Sequence, residues 1–329
     1  MLAYVSKTPS VQSVVLENVL GLATKHKDVE HTNLDYVVEG LENIQWWTQV
    51  FKLDPRQFAL PVSRGRLWMF ALPMRTLAAA NMDRGEAEAM ACTLMHKFVC
   101  EYAFPLSDFL LNEDHPHILH EYTRAVKQRV SEKTDVAKVQ QWHEAILTAV
   151  PGMGSKEWWD PIHLGSEATA AFPGLRGVTD RQFALLATKN IDVTSDMGLR
   201  KRTAKTVDIH QSIGTSVSRD NQSVIVTPTC EIFLCSRLRK MVGYEAMMMQ
   251  GMHFGPENQA KLLQLFNSKE LLSLAGNAFN VYCFCATMMA KELVIAVCVA
   301  RAARAARPAT PIQSPKSCTE LTVSDEDEV

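Results

Sequence analysis

SVVLENVLGL, residues 13–22, runs a valine-rich segment straight into Glu17 and Asn18 before reaching Gly21. Its β-branched run, bounded by Pro9 and Gly21, predicts a strand over 13–19. Strands usually end in small, solvated turn residues; this one ends in a carboxylate and an amide with apolar neighbours on both sides. Two readings stand. Glu17 caps a neighbouring element or pairs with an arginine, as at any strand terminus. Alternatively it lies at the mouth of a site, because open sheets bind ligands beyond the carboxyl ends of their strands. In an apolar pocket such a carboxyl would hold or share a proton and serve acid–base chemistry.

Working outward, an apolar spacing suited to a helix covers roughly 28–44. WWTQVFKLD (46–54) reads as a second strand and RLWMFALP (66–73) as a third, closed by Pro73. The loop QFALPVSRGR between them is too short for a crossover helix, so the last two strands form an antiparallel pair. Strand, helix, strand, loop, strand is the trailing part of an α/β sheet. A doubly wound domain generally needs about five strands or more, and residues 1–75 supply about three. The expected sheet is therefore incomplete, with an open apolar edge.

Beyond it, residues 76–150 are rich in Ala, Glu, Met and Lys, broken at Pro105 and at DHPH (114–117), and read as a helical insertion. Residues 151–255 mix turn-rich aromatic stretches with short strand-like runs, and helical character returns near 237–250. Residues 256–300 hold further helices, the last over about 279–300, where Gly276 supplies a turn and Asn277 or Asn280 a cap. That helix is expected to lack the sheet face it should cover. The tail, 301–329, is proline-rich, ends in SDEDEV, and reads as disordered.

The totals narrow the classes. The chain has 329 residues, 47% of them hydrophobic, and a net charge of -2, which excludes a polycation coating nucleic acid non-specifically. Its 8 cysteines show no paired zinc spacing, so no metal is expected and the thiols read as buried in a reducing compartment. No secretory signal is evident. The apolar run over 277–300 approaches spanning length, but Asn280, Lys291 and Glu292 interrupt it. It reads as a buried helix, not a membrane segment.

Three further features could carry chemistry. Arg64 and Arg66, one residue apart, would share a face of an extended strand and could hold a phosphate or a base oxygen. The alternative is a solvated strand edge. Arg200, Lys201, Arg202 and Lys205 form a compact basic cluster suited to phosphate, or to nothing more than a charged surface. AGNAF (275–279) is by itself a helix start with a cap.

The order of these segments carries more than any one of them. VVLENVLGL, FALPVSRGRLWMF, a long variable region, GYEAMMMQGM and LAGNAFNVYCFCATMMA resemble, in that series, the C5-cytosine DNA methyltransferase family. The resemblance implies an α/β fold: an incomplete Rossmann-like methyltransferase sheet over 1–75, the insertion, a smaller α+β target-recognition region over 151–255, and closing helices over 256–300. It implies S-adenosylmethionine as cofactor and DNA with a flipped cytosine as substrate. Glu17 matches the glutamate that holds the pyrimidine edge, Asn18 the residue that orders the pocket, and Arg64 and Arg66 the paired arginines of the active-site loop. Gly276 and Asn277 match the motif that helps close the cofactor site. Glu245, Gln250 and Gly251 match the brace of the recognition domain, and the basic cluster falls where DNA would be touched.

Departures accompany the match. Val62 stands where the family has glutamine, and Met248 and Met249 where it tends to arginine and leucine. The glycine-rich cofactor loop and the proline–cysteine nucleophile, which precede ENV in the family, are absent. Cys92, Cys100, Cys230 and Cys235 do not replace that nucleophile. The expectation is an inactive chain taken alone: a fragment, or half of an enzyme completed by a separate N-terminal polypeptide. The alternatives are a catalytically inactive nucleic-acid-binding homologue, an RNA cytosine-5 methyltransferase, and a plain helical interaction protein. Localisation is expected to be nuclear in a eukaryote and cytoplasmic otherwise.

Overall fold

A computed structural model describes residues 2–25, 27, 29–100, 102–128, 140, 141, 144, 148, 173–175, 178–189, 205–212 and 215–307. Strands β1 (Val14–Val19), β2 (Trp46–Leu53) and β3 (Arg66–Pro73) form a three-stranded sheet in the order β1-β3-β2. All three fall where the sequence predicts them, and the β2–β3 pair is antiparallel as expected. β1 is also antiparallel to β3, with Val14 opposite Ala71 and Val19 opposite Arg66. Among the described residues no strand pairs with the outer edge of β1.

The alternation of side chains gives this sheet two apolar faces. On one, Trp68, Phe70 and Leu72 of β3 join Trp47, Phe51 and Leu53 of β2. Helices α3 (Met74–Ala79), α4 (Arg84–Phe98) and the long C-terminal α10 (Val281–Ala305) cover it. The inward stripe of α10 is Cys283, Ala286, Ala290, Val294 and Cys298, and α4 answers with Ala87 and Ala91. Small residues on both helices let them approach each other and the tryptophans closely. The last helix thus does have a sheet face to cover, contrary to expectation, and that face belongs to β2 and β3. It runs on to Ala305, where Arg301 pairs with Glu86 of α4. On the opposite face, Trp46 and Ala71 pack against Val5 of α1 (Leu2–Lys7) and Leu41 of α2 (Asn33–Asn43). A reciprocal cap fixes the start of α2: Thr32 Oγ1 accepts from Asp35 N, and Asp35 Oδ2 accepts from Thr32 N.

A second sheet, antiparallel and of four short strands, has the order β5-β4-β6-β7: Ser218–Arg219, Thr206–Asp208, Ile232–Leu234 and Arg239–Lys240. Helix α6 (Asp180–Thr188) lays Phe183, Leu185 and Leu186 on Val207, Ile209 and Phe233. Ile232 and Leu234 face a different cluster, built from α7 (Gly243–Met249), α9 (Ser268–Asn277), and Leu60 and Val62 of the β2–β3 loop. That loop joins the two sheets: Ser223 N donates to Pro61 O at 2.6 Å, and Val62 forms a bridge with Ser223. The chain is accordingly a mixed α/β fold.

Between α4 and α6 lies α5 (Pro116–Gln128), and before α9 lies α8 (Pro256–Leu265). The helix expected over 237–250 is shorter, because Arg239 and Lys240 are strand and Val242 N is taken by the Glu245 carboxylate, which starts α7 at Gly243. The expected turn at Gly276 is also corrected. Gly276 and Asn277 are the last residues of α9, a helix not anticipated from the sequence, and the cap of α10 is Asn280, whose Oδ1 accepts from Cys283 N. Arg200, Lys201 and Arg202 and the tail beyond 307 lie outside the described residues.

Candidate functional site

The ends of β1 and β3 bring Glu17 and Arg66 together. Val19 stands opposite Arg66 and Glu17 opposite Trp68, so all four side chains share the face that α10 covers. Arg66 Nε lies 3.1 Å from Glu17 Oε1, with the side chains 21% and 18% exposed. Glu17 is not enclosed in an apolar pocket; it is ion-paired at the rim of the sheet. Arg66 Nη1 also donates to Gly65 O at 3.0 Å. The exposed Asn18 points to the other face and its Oδ1 accepts from Val19 N at 2.8 Å. It finishes its own strand and does not join the pair.

Arg64 separates from Arg66, against the expectation of a shared face. β3 begins at Arg66, so the strand alternation that would align them does not extend to Arg64. Arg64 Nη2 donates to Gly276 O at 2.9 Å, and its Nη1 reaches Val226 O and Ala275 O at 3.4 and 3.5 Å. Burial, then the Arg66 charge, lowers its pKa, opposed by Glu17. One arginine serves the rim; the other ties the loop to the end of α9.

Beside the pair opens a cavity of about 780 Å³. Its wall includes Leu20, Lys52, Asp54, Arg56, Ser63 and Arg66. Glu17 is not part of that wall but stands beside it, paired with Arg66. Asp54 organises the rim: Oδ1 accepts from Arg56 N and Nε, and Oδ2 from Ser63 Oγ. None of Lys52, Asp54, Arg56 and Ser63 was singled out in the sequence. The Asp-Pro-x-Gln pattern at 54–57, a capping box around a short 3-10 turn, is the signal that would have located them.

The described thiols supply no nucleophile beside Glu17. Cys283 is buried under the site, and burial first, then the Asp54 and Glu17 charges, hold its pKa far above the ordinary thiol range. Cys230 is likewise buried and raised. Cys100 is exposed on the cavity wall, its Sγ 3.2 Å from Tyr102 O.

Gly276 and Asn277 do not form a cofactor cradle. A Cβ on Gly276 would lie 2.2 Å from Pro228 N and 2.3 Å from Thr227 C, so this glycine serves close backbone packing. Asn277 Nδ2 turns back to Ser273 O in its own helix. Neither residue fits S-adenosylmethionine.

Of the residues matched to the brace, Glu245 is the centre of a polar network. The carboxylate of Glu245, fully buried, accepts from Arg239 Nη1 and Nη2 at 2.8 and 2.7 Å, from Leu111 N and from Val242 N. Arg239 Nε reaches Glu113 at 3.0 Å, and Glu113 accepts from the Tyr122 hydroxyl. Burial pushes the Arg239 pKa down, but Glu245 and Glu113 outweigh it and hold it above the usual range. The network fastens the segment around 111–122 to α7. Gly251 has φ +81, and a Cβ there would press on Tyr282 and Val281, while Gln250 O accepts from Val281 N at 2.9 Å. The Gln250 side chain is buried and both its polar atoms lack partners among the described residues. Val62, Met248 and Met249, the departures noted above, are buried in the cluster that joins the two sheets. Of the basic cluster only Lys205 is described, and its carbonyl accepts from Cys235 N at 3.0 Å at the start of β4.

No family model matches the chain, and no curated protein matches it. Among solved structures it is similar to the Entamoeba histolytica methyltransferase EhMeth (11% identity, TM-score 0.37, 87% of this chain and 62% of that one). It is also similar to a triple mutant of Spodoptera frugiperda DNMT2 (12%, 0.36, 90% and 70%) and to the S. pombe Dnmt2 methyltransferase (13%, 0.36, 90% and 71%). The first and third are methyltransferases, the enzyme class that the motif series resembles. The chain spans 62% of the length of the Entamoeba protein. TM-scores this low decide neither fold nor chemistry, which rest on the residues themselves.

Proposed function

We propose that this chain is the base-holding and cleft-closing part of a protein that methylates cytosine at C5 in DNA. The observation that carries the reading is the Glu17–Arg66 pair, 3.1 Å apart at the end of the sheet and beside an open cavity. Cytosine presents an amine donor, then a ring-nitrogen acceptor, then a carbonyl acceptor along one edge. A carboxylate next to a guanidinium is the complementary pattern: Glu17 accepts from the exocyclic amine and Arg66 donates to the carbonyl oxygen. Thymine or uracil would turn a carbonyl toward Glu17 and lose that bond. Arg66, donating to the carbonyl oxygen, draws electron density out of the ring and favours nucleophilic addition, while Glu17 fixes the base by its amine.

S-adenosylmethionine is the methyl donor in this reading, and its site, like the attacking thiolate, belongs to a completing polypeptide. The buried, high-pKa Cys283 and the unpaired edge of β1 support that division. The open edge offers backbone donors and acceptors to an incoming strand. A catalytically inactive, nucleic-acid-binding role is the second reading, favoured by the same absence of a usable thiol among the described residues beside Glu17.

The test uses labelled S-adenosylmethionine and cytosine-containing DNA. The purified chain alone incorporates no label; incorporation above background would defeat the division of labour. Adding a polypeptide that carries the cofactor loop and the cysteine restores transfer, and Glu17→Gln then lowers it by about 100-fold, the scale of a positioned acid–base group. A loss below about threefold would remove Glu17 from the reaction. Failure of every completing polypeptide would favour the inactive reading.

A further inference from the structure

The cavity beside Arg66 carries more cationic capacity than holding a base requires. Of its charged wall residues, Arg66 is neutralised by Glu17 and Arg56 Nε is held by Asp54 at 2.9 Å. Lys52, at the end of β2, has no anionic partner among the described residues and is exposed. The wall therefore has a net positive charge focused on the rim formed by β2 and the 3-10 turn after it.

The chemistry of that rim is specific. Asp54 binds both the main-chain N and Nε of Arg56, which fixes the plane of the guanidinium and leaves Nη1 and Nη2 without partners among the described residues. A pre-oriented fork with two free donors suits a phosphate, and a lysine on the adjoining strand end adds a point charge that needs no fixed geometry. Leu20, Leu53, Val99 and the exposed Ile225 supply apolar wall to the same cavity, a surface suited to a sugar ring. The volume, about 780 Å³, is in the range of pockets that take drug-sized ligands and exceeds the need of a lone pyrimidine.

We infer that Lys52 and Arg56 hold the backbone phosphate flanking the nucleotide whose base meets Arg66. The cavity then takes one nucleotide as part of a strand, not a free base. This deepens the cytosine-holding reading and rests on it for the position of the base. Lys52 and Arg56 are positioning residues: they fix where the strand enters and touch no reacting atom.

The experiment measures binding of the full chain to a fluorescein-labelled, cytosine-containing oligonucleotide, single-stranded and duplex, by anisotropy across a potassium chloride series. Lys52→Gln and Arg56→Gln each weaken binding about 3- to 10-fold and reduce the slope of log affinity against log salt by about 1, while Lys52→Arg restores both. Cytidine monophosphate and inorganic phosphate are the competitors; on a strand-binding rim they displace the oligonucleotide only at far higher concentration. An independent probe uses the exposed thiols without any variant: bound oligonucleotide slows N-ethylmaleimide labelling of Cys100, on the cavity wall, and leaves Cys285, on the outer side of α10, unchanged. Wild-type affinity and salt slope in both glutamine variants would overturn the inference. So would undiminished labelling of Cys100, absence of binding at low salt, or displacement by cytidine monophosphate at equal concentration. Glu17→Gln separates the two ideas: it removes preference for cytosine over thymine at an unchanged salt slope. If it does not, the base reading fails while the phosphate contacts stand or fall on their own variants.

Discussion

Arg64 Nη2 donates to the carbonyl oxygen of Gly276 at 2.9 Å, a bond between residues 212 positions apart. The same guanidinium reaches Val226 O and Ala275 O, so a cation sits on the orphan carbonyls at the C-terminal end of α9, where the helix dipole favours it. Removing that charge strands several carbonyls at once. Arg66 sits one residue beyond Gly65 but makes a partly exposed ion pair, the kind that contributes little to stability. The two arginines therefore separate in a variant study. Arg64→Gln lowers unfolding free energy by about 1.5–3 kcal/mol, the range for hydrogen bonds to a charged group. Arg66→Gln costs about 1 kcal/mol or less. Urea midpoints check both, and equal losses would contradict the division.

The buried Arg239–Glu245 pair behaves in the opposite way to the surface pairs. Both side chains are almost wholly excluded from solvent, and the Glu245 oxygens are committed to Arg239, Leu111 N and Val242 N. Glu245→Gln leaves a buried guanidinium short of its counter-charge and costs about 3–5 kcal/mol. Replacing both residues by apolar ones of similar volume, Arg239→Met with Glu245→Leu, costs less than the single change, because no buried charge remains unpaired and the half-exposed Glu113 is left to solvent. Denaturation of the three variants side by side checks the order. The loss is also local: the segment around 111–122 comes away from α7 first, which limited proteolysis reads directly.

Much of this architecture was legible because local pattern and tertiary environment agree. β3 is buried on both faces, so its apolar run is nearly continuous and ends at Pro73, while β2 alternates buried with more exposed residues and β1 is only half-buried. The Glu17–Arg66 meeting was legible from the motif order, and pairing with an arginine was one of the two readings of Glu17; spacing alone does not say which arginine, because the partner lies on another strand. What failed did so where small residues carry tertiary information. Gly276 reads as a turn in sequence, but its backbone is helical and its missing side chain makes room for Thr227 and Pro228. Arg64 and Arg66 read as a pair because Gly65 was taken to lie inside a strand, whereas β3 starts one residue later. Lys52 and Arg56 were passed over because single charges at a strand end carry no periodicity.

His117 gives the chain a pH dependence with a definite sign. It is buried, its ring 5.5 Å from that of His115 and 4.9 Å from that of Tyr244 with all three nearly parallel, and its Nε2 has no partner among the described residues. Burial first, then the neighbouring His115 charge, pushes its pKa down from 6.5 to about 4. The unfolded chain takes up this proton at higher pH than the folded one. Stability is therefore full above about 6.5 and falls with pH down to about 4, by at most about 3 kcal/mol from this residue. Chemical denaturation at several pH values checks the slope, and His117→Phe, which keeps the stack without the titration, flattens it between those limits. An unchanged slope in that variant would place the acid sensitivity elsewhere.

The outer edge of β1 provides the last test. In an antiparallel pair, alternate residues turn their backbone groups toward the partner and the others turn away. β3 satisfies one set in β1, and among the described residues no strand meets the other; Val19 N donates to the side chain of Asn18. Amide hydrogen exchange on the chain alone should therefore split β1 into alternating slow and fast positions, with β3, paired on both sides, slow throughout. Such an edge also recruits copies of itself, so the isolated chain self-associates as its concentration rises. A completing polypeptide that adds a strand converts the fast β1 amides to slow ones and suppresses that association. The same polypeptide should leave the exchange of α7 unchanged, because the Arg239–Glu245 network already closes that region from within. If every β1 amide is already protected in the isolated monomer, the edge is covered by the chain itself and the need for a completing strand disappears.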